Sequence, residues 1–315
     1  MKNTKLTHAI SLAITGVALA AGGISTASAG LTMYNTYTTT ASTQTDGWVR
    51  YISGVDNSGP ATSGNSGDVT PWVGTNGSTP STVLPFNYIG SQHLNWAVDL
   101  TGSQDSAEIS TADAVRRYAY TAEIDTGGGA WFDNGRDASG NITEIPTGWK
   151  HQTEIGVIRT DSSANITLKL SALGTLQDPT FTRFGITIFT GMNTATANYS
   201  HHGAWNRCGD IACVTPPNYA LDNPFYPAGV GSGLTFLMYN DNVNSVNGLT
   251  FHANPGQLYS VFLGGWGFAN WNAGVDQYKL EITSVPEPDT LWLFGSALAG
   301  MGLTRRRKAG VAIPT

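Results

Sequence analysis

Ile166-Thr167-Leu168-Lys169-Leu170 alternates apolar and polar residues with a period of two, the pattern of a β-strand with one face buried and the other in water. The same signal recurs along the chain. It is found at Leu94 to Leu100, Val115 to Ile124, Glu154 to Thr160, Phe184-Ile186-Ile188, Leu234-Phe236-Met238, Leu258 to Leu263 and Tyr278-Leu280-Ile282. In each run alternate side chains are expected on one sheet face and the intervening polar ones outward. Asp161-Ser162-Ser163, Gly174, Asp241-Asn242, Asn254-Pro255-Gly256 and Asn272-Ala273-Gly274 punctuate the runs with residues that favour turns. Eight or more short strands separated in this way predict an all-β fold, an antiparallel β-sandwich of jelly-roll-like type. Residues 31 to 86 are crowded with Thr, Ser, Gly, Asn and Pro and show one clear strand, Trp48 to Ser53. They read as long N-terminal loops laid over a sheet. The best helix candidate is Ser106 to Tyr120, which overlaps the strand reading of Val115 to Ile124.

Composition agrees with an exported β protein. The 315 residues include 38 Gly and only 12% charged side chains, unlike a typical cytosolic enzyme. Lys2 and Lys5 precede an apolar stretch from Ala9 to Ala21, and Ala27-Ser28-Ala29 supplies a small-residue cleavage pattern. Residues 1–29 therefore read as a signal peptide for signal peptidase, with Gly30 as the mature start. No Cys follows the cleavage pattern, which argues against a lipoprotein.

At the other end, Val285-Pro286-Glu287-Pro288 leads into an apolar run, Leu291 to Leu303, and then Arg305-Arg306-Arg307-Lys308. Two prolines fix φ and remove backbone donors, so neither helix nor central strand continues through Glu287. The apolar run would span roughly 20 Å as a helix, short of a ~30 Å hydrocarbon core, and the basic cluster holds its far end in the cytoplasm. This order of elements resembles the PEP-CTERM sorting signal. The resemblance implies an exported protein held briefly in the inner membrane by its C-terminal helix, recognised by an exosortase and cut in the Pro-Glu-Pro region. The expected organisation is residues 1–29 as signal peptide, 30–283 as a β-sandwich domain, 284–308 as sorting signal and 309–315 as a tail.

Trimming both ends removes six of the 16 basic and two of the 22 acidic side chains, leaving ten and twenty and a net charge of −10 against −6 for the whole chain. A field of that sign repels nucleic acid and admits cations. Cys208 and Cys213 are the only cysteines. In an exported protein a close pair is expected as a disulfide, and two thiolates alone do not complete a tetrahedral zinc site.

Trp149-Lys150-His151 enters a strand, where residues two apart share a face, and His201-His202 and His252 supply further imidazoles. A site built from these suits copper, zinc or nickel better than calcium. The succession Gly148-Trp149-Lys150-His151, Phe184 to Gly191, His202-Gly203-Ala204-Trp205-Asn206, Leu234-Thr235-Phe236 and Pro255 to Gly265 resembles the secreted copper-binding surface proteins of the MopE/CorA type from methane-oxidising bacteria. That resemblance covers roughly residues 145 to 283. It implies Cu(I) held by Trp149, oxidised to kynurenine, and His151, with His202 or His201 as second ligand. The other reading of these residues is a core tryptophan and a solvated histidine.

Enzyme signals are poor. Glu123, Asp125 and Glu154 are candidate paired carboxylates for glycoside hydrolysis, yet a domain with this many acids offers such pairs by chance. No Gly-x-Ser-x-Gly elbow ends a strand, since Gly231-Ser232-Gly233 only begins one. Asp133 to Asn141 departs from a calcium loop, with Ala138 where Gly is required. The expectation is a non-catalytic protein of the cell surface or extracellular matrix, with a structural or binding role and exopolysaccharide or matrix as partner. The alternatives are Cu(I) binding and carbohydrate binding by a Gly-rich loop holding Trp266, Phe268 and Trp271.

Overall fold

In the computed structural model the alternating runs pair into two stacked sheets. The structure describes residues 29–36, 51–52, 55–56, 72–90, 92, 94–102, 105–122, 124–127, 129–131, 148, 150, 153–173, 183–195, 225, 232–266 and 275–286. In chain order its elements are β1 (Leu31–Asn35), β2 (Tyr51–Ile52), β3 (Val55–Asp56), β4 (Trp72–Ser81), β5 (Trp96–Leu100), β6 (Ser106–Ile109), α1 (Thr111–Tyr118), β7 (Asp125–Gly127), β8 (Glu154–Thr160), β9 (Ala164–Leu173), β10 (Arg183–Thr190), β11 (Thr235–Val243), β12 (Leu249–Ala253), β13 (Leu258–Trp266) and β14 (Val275–Pro286). One sheet has seven strands in the order β11-β10-β13-β8-β5-β1-β4. The other runs β12-β9-β14-β6, with β7 also on β14, and β2 and β3 form a separate hairpin.

The architecture is an all-β sandwich in which, among the described strands, one neighbouring pair is parallel: β5 and β8, Trp96 opposite Gly156 through Leu100 opposite Thr160. Parallel neighbours need a long crossover, and here it runs through β6, α1 and β7 on the opposite side of the sandwich.

Three expectations are corrected. The segment after Leu31 is not all loop: β1 lies inside the seven-stranded sheet and β4 forms its edge. The period-2 reading of Val115 to Ile124 gives way to α1, which begins where Ser110 accepts a hydrogen bond from the Asp113 amide at 3.0 Å and ends where Ala119 turns left-handed, φ 60°. Asp241-Asn242 continues β11, and the turn comes at residues 244–247, where the Asn244 side chain accepts the amides of Val246 and Asn247.

The five-stranded sheet has one apolar face, so β9 alternates between buried and half-exposed positions from Ala164 to Ser171. The seven-stranded sheet is covered on both faces. Trp96, Val98, Ile158, Phe184, Ile186, Val261 and Leu263 meet Leu168, Leu170, Tyr278, Leu280 and Ile282 of the other sheet. On the reverse face Ala97, Ile155, Val157, Phe189 and Phe262 pack under Tyr88, Leu94, Trp131, Phe225 and Leu234. Residues expected to point outward from β10 and β13 are thus buried, and both strands read as nearly continuous apolar runs.

Covering a sheet with indoles demands glycines beneath them. A Cβ on Gly185 would enter the Trp131 ring, and one on Gly264 would lie 2.7 Å from the Trp131 amide. Trp131 also stands edge-on to Phe225 at 4.9 Å. On the opposite face Gly156 leaves room for the Trp96 indole. Gly185→Val should therefore destabilise the body by about 3 kcal/mol or more through overpacking, read as a lower urea midpoint. Val246→Ser, at a position 77% exposed, should leave the midpoint unchanged.

Candidate functional site

Two ends of the sandwich differ in what they gather. At one end β1 begins beside β6: Ala29 bridges Ser106 in parallel and the Gly30 amide donates to the Ser106 carbonyl at 2.8 Å. Ser106 in turn lies opposite Thr283 of β14, and the Ser284 amide donates to the Asp105 carbonyl at 2.8 Å. β14 keeps its pairing with β9 as far as Pro286 opposite Ala164. The connections at residues 101–105, 161–163 and 254–257, which pass between the sheets, lie at this end as well. A cleft of about 340 Å³ opens here, lined by Ala29, Ser106, Glu108, Arg116, Glu281 and Thr283 among others.

The opposite end gathers the starts of β5, β8 and β10 and the end of β13. Glu154, which opens β8, is 1% exposed and lies in the core between the sheets. It accepts hydrogen bonds from Asn95 Nδ2 at 2.7 Å and from the Tyr278 hydroxyl at 3.1 Å. The Tyr278 hydroxyl accepts in turn from Trp96 Nε1 at 2.9 Å. Burial, and after it the negative charge of Glu154, pushes the Tyr278 phenol well above its ordinary value, so it remains a donor. A carboxylate so enclosed cannot meet a polysaccharide in a cleft.

The second buried acid, Asp113 in the first turn of α1, is fully shielded and accepts from the Tyr34 hydroxyl at 2.7 Å, Thr32 Oγ1 at 3.0 Å and Arg117 Nε at 3.0 Å. Arg116 also contacts it. Burial alone would raise this carboxyl, but the hydrogen bonds from Tyr34, Arg117 and Arg116 outweigh it and hold it below its ordinary value. Sequence reasoning passed over Asp113, although the Ser110-x-x-Asp113 spacing is a helix-start signature that points to it. Near β4, Arg159 grips Asp99, with Nε to Oδ1 at 3.0 Å, and stacks 4.6 Å over Phe86. These charges are committed to one another.

Trp149, His151, His201, His202, Cys208 and Cys213 lie outside the described residues, as do Ala27, Glu287, Pro288, Arg305, Arg306 and Arg307, the calcium-like stretch 133–141 and Glu123. The described neighbours of the proposed copper ligands leave the seven-stranded sheet at different levels. Glu154 is opposite Leu263 and Thr190 opposite Tyr259, four residues along β13, about 13 Å at ~3.3 Å per residue. Between Trp149 and His151, Lys150 is half-buried, and burial pushes its ammonium down. Among the described residues no group of three or more His, Cys, Asp or Glu side chains is placed to hold a metal ion. Trp266 closes β13 with the Arg183 guanidinium 3.7 Å over its ring, which occupies a face that a sugar would need. Phe268 and Trp271 fall outside the described residues.

Of the predicted features at the C-terminus, Pro286 is described, as the last residue of β14. Residues 284–308 are a PEP-CTERM protein-sorting motif. The protein is accordingly an exported one, processed by an exosortase and anchored at the cell surface. No curated protein matches the chain. Among solved structures it is similar to CorA, described as a surface-associated copper-binding protein important in Methylomicrobium album BG8 copper acquisition. The identity is 14%, over 60% of this chain and 98% of CorA, with a TM-score of 0.29. A likeness at that score carries no weight for ligand or site.

The Asp113 cluster generates a prediction with a definite sign. A carboxyl depressed in the folded state stabilises above its unfolded value and loses that contribution as pH falls through the folded one. Asp113→Asn should cost about 3 kcal/mol at neutral pH by leaving buried partners of the carboxylate unsatisfied. The gap between variant and wild type in denaturant titrations should narrow below about pH 4.

Proposed function

We propose that the exported body works at the cell surface, within the extracellular matrix, as a non-catalytic structural or binding element. The observation that supports this most is the fate of Glu154. Of the three candidate carboxylates for hydrolytic work, Glu123, Asp125 and Glu154, Glu154 is enclosed between two sheets and engaged by Asn95 and Tyr278. Asp113 and Asp99 are likewise held by internal partners. The body also carries a net negative charge on a two-sheet frame. Such a charge suits cation-bridged association with acidic exopolysaccharide and disfavours nucleic acid.

A second reading, copper capture, is favoured by the Trp149-Lys150-His151 sequence at the entry to β8. Its imidazole-rich donor set, with His202 or His201, fits Cu(I). In this reading Trp149 and His151 hold the metal from the end of the sheet at which β8 starts. The second histidine comes from the segment between β10 and β11.

Both readings are open to direct tests. In the native host, cells producing the chain cut back to Pro286, the last residue of β14, should release the body into the medium and lose matrix cohesion. Unchanged cohesion and surface recovery would remove the matrix role, and turnover of a polysaccharide by the purified body would remove its non-catalytic character. For copper, the mature body should take up Cu(I) stoichiometrically in competition with a chromophoric chelator. Full uptake by His151→Ala would sink that reading.

A further inference from the structure

The chain enters and leaves the described body side by side. Upstream of Ala29 and downstream of Pro286 it departs from the same end of the five-stranded sheet, because Ala29 runs parallel to Ser106 while β14 runs antiparallel to β6. Only β6 separates the two paths: Ala29 bridges Ser106, and Ser106 faces Thr283. Four residues, 287–290, separate Pro286 from the apolar run that starts at Leu291. Even fully extended, that leash places Pro286 within about 18 Å of the first apolar residue, at ~3.6 Å per residue. β14 leads away from this end for nine residues, from Pro286 back to Gln277, which is about 30 Å of strand.

We infer that the end of the sandwich formed by Gly30, Ser106, Ala164 and Thr283 to Pro286 is the surface that faces the lipid bilayer in the sorting precursor, with the strands standing away from the membrane. The inference rests on the sorting motif and adds an orientation to it. Both processing positions are then presented at one membrane-facing end. Because Pro286 is still paired with Ala164, the leash begins there, and the body has no slack upstream of it with which to turn over. The opposite end, with Leu173 and Gln277, points outward.

The test uses the full-length precursor, with Cys208→Ser and Cys213→Ser, made in a bacterium that has no exosortase, so that the C-terminal segment stays attached. Val285→Cys, at a position 56% exposed, marks the near end, and Gln277→Cys, also exposed, marks the far end. On spheroplasts a bulky polyethylene-glycol maleimide should modify Val285→Cys several-fold more slowly than Gln277→Cys, and the difference should vanish in detergent. Thr283→Cys and Leu173→Cys form an independent near and far pair should either of the first variants fail to fold. Equal rates on membrane-bound precursor would overturn the orientation while leaving the sorting motif intact. Precursor recovered in the soluble fraction would overturn both.

Discussion

The middle of the seven-stranded sheet, with apolar cover on both faces, leaves little room for a group that needs water, and much of the local structure answers to that constraint. Its central strands, β8, β10 and β13, carry almost nothing but buried residues. Fully burying a large apolar side chain is worth roughly 1.5–3 kcal/mol, so two faces of such contacts form the main source of cohesion. The cost is steric. Indoles from Trp96 and Trp131 reach the sheet surface only where Gly156, Gly185 and Gly264 leave the space. Large aromatic residues and glycines are therefore parts of one arrangement, and changing either member disturbs the other.

The same enclosure explains where the buried polar groups sit. The parallel pairing of β5 with β8 leaves their starting ends close together in the interior. There Asn95 and Glu154 satisfy each other, while the Asn95 backbone and side chain bond to Ile155. Tyr278 of the facing sheet completes the group. Asp113 plays the comparable part for α1, tying the helix to Thr32 and Tyr34 of β1. Burying these carboxylates is costly, and a well-packed apolar replacement would often be at least as stable. Their contribution lies in register: a slip of β1 or β8 by one residue would strand a charge in hydrocarbon.

Legibility in the sequence followed burial. Strands with one wet face, such as Ile166-Thr167-Leu168-Lys169-Leu170, announce themselves by period two; the same signal locates strands of the two-faced sheet but not the burial of intervening residues such as Thr187 and Phe262. β1 was missed because Leu31-Thr32-Met33-Tyr34-Asn35 is short and sits beside a Thr- and Ser-rich stretch, yet its Thr32 is buried on a hydrogen bond to Asp113. α1 was blurred because an eight-residue helix shows barely two turns of its period, and its start signal, Ser110 with Asp113, is polar. Glu154 looked like a reactive acid, since sequence carries no trace of the Tyr278 hydroxyl that engages it from a residue 124 positions away. The sorting signal was legible throughout, because its logic is linear: a turn, an apolar run and a basic stop are read in order and need no folding.

An orientation with the Gly30 and Pro286 end toward the bilayer also sorts the remaining candidate features by height. The strand β8 that follows Trp149-Lys150-His151 starts at the far end, and the segment 267–274, between β13 and β14, is attached there too. The segment holding His201, His202, Cys208 and Cys213 joins β10 to β11 through Thr190 and Thr235, which are paired at the membrane-facing side. A metal site drawing on both would have to bring a ligand from the near side up along the sheet, across the interval between Tyr259 and Leu263 of β13. Copper binding through Trp149, His151 and His202 thus makes a demand on the path of the chain after Ala195, whereas a matrix role makes none.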